Sequence, residues 1–201
     1  MRHNPAYSCD DLEVVRELIE ENPWATLVSG NRELVASHCP VLVEPEAEGL
    51  TIVTHLGKPD EELHGIGNGE LLVIVQGHHG YVSPSWYAPG ATRAPTWNFS
   101  VAHLYGRPEV LSEEENLETL TRLVERFERE VEEPMLLERD WATPFARGTV
   151  GIRLRVDHFT CKRKLSQDKD PASRRNVIER LREPGPYHHP ALADEVEREL
   201  D

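Results

Sequence analysis

The feature that most constrains the fold is an uninterrupted apolar run over residues 71–75. A run without polar alternation predicts a strand that is buried on both faces. Other stretches have the composition of strands and are separated by turn-forming residues; they cover residues 24–29, 34–43, 50–55, 80–83, 98–110 and 148–159. About six to eight strands with few helices predict an α+β protein that is mainly β, a small antiparallel barrel flanked by helices.

Apolar residues at helical spacing predict the helices. The clearest covers residues 112–131, where Ser112 and Glu115 form a capping box. An acid three residues after Ser8 predicts the start of a first helix, and further helices are predicted over residues 172–182 and 191–200. Because a Pro-Gly-Pro break follows residue 183, we predict a cofactor-binding barrel domain over residues 1–183 and a C-terminal helical arm over residues 184–201.

Composition excludes several classes of protein. The 201 residues include 22 Lys and Arg against 36 Asp and Glu, so the formal net charge is −14 and the surface as a whole repels nucleic acid and anionic membranes. No apolar run approaches the ~20 residues that span a bilayer. Three widely spaced cysteines and no apolar leader predict reduced thiols and a cytoplasmic protein.

An unusual loop covers residues 84–97, which include two tryptophans and three prolines. Loops normally carry small polar residues. A loop this aromatic is expected to pack on something flat, either a partner subunit or a planar ligand, and we predict a homodimer with the ligand in the subunit groove.

Three segments contain candidate site residues. In the first, a strand ends at His55, Lys58 follows in a turn, and a short helix beginning after Pro59 brings His64 near its end. Lys58 supplies charge for an anion, and a neutral imidazole at His64 can ligate a metal or a haem iron. The alternative for His64 is an exposed surface histidine.

The second segment is Gln76-Gly77-His78-His79-Gly80. Its glycines allow the backbone to approach a ligand closely. Adjacent histidines in a strand point to opposite faces, so His78 and His79 cannot chelate one ion together, and zinc is weakly supported.

The third segment is basic. Residues 155–182 include nine Lys and Arg against four acids, a local charge of +5 within an acidic chain. Such asymmetry is typical of an anion site for phosphate, cofactor carboxylates or DNA. The alternative is a surface whose charges pair with the acidic helix over residues 112–131, and a helix-turn-helix motif is not recognisable.

Several segments together resemble the PaiB-like family, described as FMN-binding negative transcriptional regulators with a split-barrel fold. They are the stretches Ser-Pro-Ser-Trp-Tyr at 83–87, Thr-Trp-Asn at 96–98, Lys-Leu-Ser-Gln at 164–167, and less specific pieces at 22–28, 36–40, 54–55, 75–82 and 101–106. The resemblance implies an antiparallel split β-barrel and a homodimer with a planar cofactor at the subunit groove. It places cofactor contacts at Gln76, Trp97, Asn98, Lys164, Ser166 and Gln167.

The sequence departs from the regulators after His55. Their Asn-Pro-x-Trp element is absent, His64 stands in the segment instead, and the usual Gly-Pro-His is Gly77-His78-His79. This pattern resembles the piperazate synthase branch, haem-dependent enzymes that join the two nitrogens of an N-hydroxy-ornithine with loss of water. That resemblance implies haem b with His64 as the axial iron ligand.

Two functions of different classes follow. The first is a haem enzyme of N–N bond formation, with an amino-acid substrate and Lys58, His55 or His78 as proton donor to the departing hydroxyl. The second is an FMN-binding negative regulator, and nucleic acid is a partner only under this alternative. The missing Asn-Pro-x-Trp and the net charge of −14 favour the enzyme; the function described for most of the family favours the regulator.

Overall fold

The computed structural model describes residues 1–30, 33–45, 49–91 and 94–200. Two of the predicted turns and the aromatic loop lie partly outside these ranges, at residues 31–32, 46–48 and 92–93. The strands are β1 (Ser8–Cys9), β2 (Trp24–Ser29), β3 (Val35–Pro40), β4 (Leu42–Val43), β5 (Thr51–Gly57), β6 (Leu71–Val82), β7 (Thr96–Gly106), β8 (Pro108–Val110), β9 (Thr149–Arg155) and β10 (His158–Lys164). The helices are α1 (Leu12–Glu21), α2 (Lys58–His64), α3 (Glu113–Glu128), α4 (Arg139–Arg147), α5 (Pro171–Arg182) and α6 (Pro190–Arg198), with a 3-10 turn at Pro84–Trp86.

The strands form two sheets. One has the order β1-β10-β7-β6-β2-β3 and the other has the order β4-β5-β9-β8. The pairings whose register is defined are antiparallel, for example β5 with β9 from Thr51↔Arg155 to Gly57↔Thr149. The predicted mainly β, antiparallel class is therefore confirmed. Across the described residues, no helix is long and apolar enough to cross a membrane.

The chain divides into two compact units. One comprises Leu12–Val75 and His103–Phe159, and buries Ile19, Leu27 and Ile152. The other comprises Met1–Asp11, Gln76–Ala102 and Thr160–Asp201.

The core of the second unit joins the end of β6 to α5 and α6. Val82, Leu165 and Val177 are fully buried there together with Leu192 and Val196 of α6. The predicted arm at 184–201 therefore includes a helix whose apolar side chains belong to this core. The division of the chain at residue 183 stays a prediction.

Three stretches predicted as single strands are each broken in two, and each break sends the chain from one sheet to the other. Residues 34–43 form β3 and β4, residues 98–110 form β7 and β8, and β9 ends before β10 begins within the stretch predicted at 148–159. Pro40 precedes the first break, and Gly106 and Pro108 flank the second. These residues commonly interrupt strands, and the prediction of continuous strands did not use them. The chain bends at these breaks because it passes from one sheet to the other and pairs with different strands after each bend.

The apolar run at 71–75 was expected to be buried on both faces, and this is wrong. Leu71, Val73 and Val75 are buried, whereas Leu72 and Ile74 are half-buried. The strand continues through residue 82, so the two strands predicted at 71–75 and 80–83 are one. Ser8 also lies in a strand, β1, rather than capping a helix.

Candidate functional site

An exposed aromatic surface lies in the second unit, on the adjoining parts of β6 and β7. Trp97 is 49% exposed. Its Nε1–H donates a hydrogen bond to Nδ1 of His79 at 3.1 Å, and the two rings stack with centroids 5.9 Å apart. A large aromatic side chain fixed by a hydrogen bond yet open to solvent is typical of a binding surface.

A pocket of about 370 Å³ lies on one side of this ring pair. It is lined by Gln76, His79, Trp97, Phe99 and Val101. The three β7 residues alternate along their strand, so they share one face. Gln76 and His79 are three residues apart, which regular alternation would place on opposite faces; the alternation of β6 therefore breaks at the intervening Gly77-His78.

A second pocket of about 540 Å³ shares His79 and Trp97 with the first, and Tyr81, Tyr187 and His189 are among its other lining residues. The Tyr81 ring centroid lies 6.4 Å from that of Trp97 and 5.5 Å from that of Tyr187. His78 contacts His189 instead, with centroids 5.3 Å apart.

Two lysines of β10 lie beside the aromatic surface. Lys162 Nζ is 5.8 Å from the Phe99 ring centroid and 5.9 Å from that of Tyr7, and Lys164 Nζ is 6.0 Å from the Tyr7 centroid. Lys164 also donates a hydrogen bond to the Thr96 hydroxyl. Burial lowers the pKa of Lys164, while Asp168 acts in the opposite direction. The surface thus combines exposed rings with two cations.

The predicted contacts at 164–167 are mostly engaged within the fold. Ser166 adopts a left-handed conformation (φ 65°), and its hydroxyl lies 2.9 Å from Nδ2 of Asn98, which donates to it. Ser166 is 1% exposed and Asn98 is fully buried. The Gln167 side chain accepts from Leu165 N at 2.7 Å. These groups hold the turn that presents Lys164, and their direct contact with a cofactor stays a prediction.

The basic segment at 155–182 is largely ion-paired. Five of its nine cations face a carboxylate: Arg155 with Glu109, Arg163 with Glu199, Lys169 with Asp168, Arg180 with Glu183, and Arg182 with Asp194 and Glu197. These cations are therefore ion-paired, as the alternative interpretation expected. Their partners do not belong to the helix at 112–131, so that part of the interpretation is wrong. Helix α6 supplies two of them, because the fold packs it beside α5.

The other predicted site residues lie in the first unit. Lys58 begins α2 and is exposed, and His55 is half-buried in β5. His64 ends α2, where Gly65 in the left-handed conformation (φ 60°) turns the chain. Pro59 lies in the first turn of this helix, where the fixed φ of proline is compatible with helical backbone.

His64 is 1% exposed, so its interpretation as a surface histidine is wrong. Its Nδ1 shares a hydrogen bond of 2.9 Å with the Ser29 hydroxyl. Burial lowers the pKa of His64, and Asp60 partly opposes the shift. The imidazole is therefore neutral at pH 7. Among the described residues, no cluster of three or more His, Cys, Asp or Glu side chains could hold a metal ion.

Sequence reasoning assigned no role to Phe99 of the aromatic surface or to Tyr7 beside it. The alternation of Trp97, Phe99 and Val101 on β7 was a usable signal for Phe99. Lys162 entered only as one charge of the basic segment. Tyr7 had no signal, because the pairing of β1 with β10 joins residues about 150 positions apart in the chain.

The model of a family described as "Putative FMN-binding domain" matches residues 1–158. The chain is 28% identical over 180 residues to "Protease synthase and sporulation protein PAI 2" of Bacillus subtilis (strain 168), covering 87% of this chain and 86% of the relative.

Among solved structures, the FAD and heme binding protein from Mycobacterium smegmatis and the flavocytochrome Anf3 from Azotobacter vinelandii each superpose with a TM-score of 0.59 at 19% identity. They cover 78% of this chain, and 73% and 68% of their own chains respectively. This likeness confirms the predicted split-barrel fold. Since the family model spans more than half of its residues, the chain belongs to the PaiB-like family of FMN-binding domains.

Proposed function

We propose that the chain is a flavoprotein that holds FMN on the aromatic surface defined by Gln76, His79, Trp97 and Phe99. One observation carries the proposal: the Phe99 ring in the pocket lies beside Lys162, and Lys164 stands two residues further along the same strand. FMN combines a flat ring system with one phosphate, so it needs an apolar platform and a nearby cation.

The residues of the surface fit this ligand. Trp97, already fixed by His79, offers a ring on which a flat cofactor can stack at low cost in conformational entropy. Lys162 and Lys164 supply positive charge for the phosphate. Gln76 is exposed at the pocket wall and offers an amide for the polar edge of a flavin. When bound, FMN supplies electron transfer in one- or two-electron steps.

The regulator alternative adds DNA binding to this cofactor site. Its support is the similarity to the Bacillus subtilis relative, whose name associates it with sporulation. Against it stand the net charge of −14 and the ion pairing of five of the nine cations at 155–182. A DNA site would have to use the cations that remain.

The haem enzyme is the second candidate. Its support is the neutral imidazole of His64, oriented by Ser29, and the similarity of the fold to that of the FAD and heme binding protein from Mycobacterium smegmatis. The test of fit goes against it: an axial ligand needs open space for a macrocycle, and His64 is 1% exposed. This arrangement does not fit haem bound to His64 unless α2 moves, so we derive no step of N–N bond formation from it.

Absorption spectroscopy of the purified protein separates the candidates. The FMN proposal predicts flavin bands after incubation with FMN and quenching of tryptophan fluorescence during titration. A Soret band in protein supplied with haem and FMN together, without flavin bands, would reject the FMN proposal and favour the enzyme.

The lysine pair is tested by Lys164→Glu. Loss of one charge-assisted phosphate contact and its replacement by repulsion should weaken FMN binding about 10- to 100-fold. Arg175→Glu is the matched control, since it makes the same charge change on an exposed position of α5 and should leave affinity within about twofold. Equal FMN affinities for the two variants would show that Lys164 does not bind the phosphate.

A further inference from the structure

Two of the three cysteines face each other across a pair of strands. Strands β1 and β10 are antiparallel, and their register places Cys9 directly opposite Cys161. Directly opposed residues have Cα atoms about 4.5–5.5 Å apart, which lies within the ~4.4–6.8 Å that disulfides occupy. The Cys9 side chain lies near enough to Cys161 to be one of the causes that raise the pKa of the Cys161 thiol. Both are free cysteines in this structure.

The three thiols differ in their access to solvent. Cys9 is half-buried, whereas Cys161 is 5% exposed and Cys39 is 4% exposed. Burial raises the pKa of Cys161 to about 12 and that of Cys39 to about 11. Thiol–disulfide exchange needs a thiolate that a small disulfide can reach. Cys9 is therefore the thiol at which exchange would begin.

We propose that Cys9 and Cys161 form a reversible intrachain disulfide in response to a small-molecule disulfide such as oxidised glutathione. The Cys9 thiolate attacks one glutathione sulfur, forming a mixed disulfide and releasing one glutathione thiolate. Cys161 then gives its proton to solvent and attacks the Cys9 sulfur, and the second glutathione leaves. The two protein thiols are oxidised, and one oxidised glutathione is reduced to two glutathione molecules.

The position of this pair connects it to the lysines of the aromatic surface. Tyr7 stands two residues before Cys9, and its ring packs against Lys162 and Lys164. The Arg163 N–H donates to the Tyr7 carbonyl at 2.8 Å. Because β1 has only two residues, a covalent link at Cys9 would fix the N-terminal segment against β10. The inference goes beyond FMN binding and does not depend on it.

The test is oxidation of the full chain in glutathione redox buffers, with free thiols counted after denaturation. The proposal predicts that three free thiols fall to one and that non-reducing peptide mapping joins Cys9 to Cys161 within one chain. Dithiothreitol should restore all three. Hydrogen exchange of the Arg163 amide should slow by about tenfold or more in the oxidised protein, because opening of β1 is suppressed.

Single cysteine variants supply the controls. Cys39→Ser should still lose two thiols, since Cys39 lies in the other compact unit, where its Sγ accepts a hydrogen bond from the Thr54 hydroxyl at 3.1 Å. Cys161→Ser should stop at a glutathione adduct on Cys9. Three thiols persisting in excess oxidised glutathione, or a disulfide that joins two chains or includes Cys39, would overturn the proposal.

Discussion

Replacement of His64 by alanine should destabilise the fold substantially. The imidazole is 1% exposed, and the Ser29 hydroxyl with which it hydrogen-bonds is 4% exposed. Leaving a buried hydroxyl without that partner costs about 1–3 kcal/mol, and large-to-small changes in a core cost about 2–5 kcal/mol. The two costs overlap, so we expect His64→Ala to lower the free energy of unfolding by about 3 kcal/mol.

The assay is urea unfolding of the cofactor-free protein, followed by tryptophan fluorescence. For a chain of this size, a loss of about 3 kcal/mol corresponds to a fall of about 6–12 °C in Tm. Leu63→Ala is the matched control, because the neighbouring Leu63 on the same helix is 60% exposed and its loss should cost well under about 1 kcal/mol. If His64→Ala were no more destabilising than Leu63→Ala, the buried position of the imidazole would be refuted.

This result bears directly on the haem hypothesis. If His64 ligated haem, His64→Ala would remove the Soret band, and on an exposed helix the fold would survive the change. With a buried His64, loss of the band can reflect unfolding as well as loss of a ligand. Ser29→Ala removes the hydrogen bond but keeps the imidazole. The Soret bands of Ser29→Ala and His64→Ala should be compared under conditions where circular dichroism shows both variants folded.

Three further predictions concern stability. Burial lowers the pKa of His55, so below about pH 6.5 the unfolded chain binds a proton that the folded chain resists. The free energy of unfolding should therefore fall between pH 7 and pH 5. If urea unfolding of His55→Gln showed the same dependence of that free energy on pH, the prediction would be contradicted. A methyl group at Gly106 would overlap the Arg155 carbonyl oxygen, so Gly106→Ala should cost about 1–3 kcal/mol, whereas Gly148→Ala, whose added carbon meets only ordinary contacts, should be close to neutral in the same assay. Leu192→Ala should lower the unfolding free energy by about 2–5 kcal/mol because this α6 side chain is fully buried in the core, and a change below about 1 kcal/mol in chemical denaturation would indicate that the helix is dispensable.

Two of the residues predicted to contact a cofactor, Gln76 and Trp97, line one pocket, and their contact with a cofactor stays a prediction. The alternation that places Trp97, Phe99 and Val101 on one face is a property that a short stretch of sequence carries. Asn98 and Ser166 satisfy each other's hydrogen bonds instead. A polar residue in a motif does not indicate whether its partner is a ligand or another side chain, and only packing decides between the two.

The sequence by itself determined the mainly β class, the capping box that starts α3, the aromatic loop at 84–97 and the basic segment at 155–182. All of these follow from spacing within about ten residues. Only the tertiary structure decided where strands change sheets, that His64 is buried, that α6 joins a core, and that Cys9 faces Cys161. These features depend on contacts between residues far apart in the chain, whose free energy is not encoded in any local pattern.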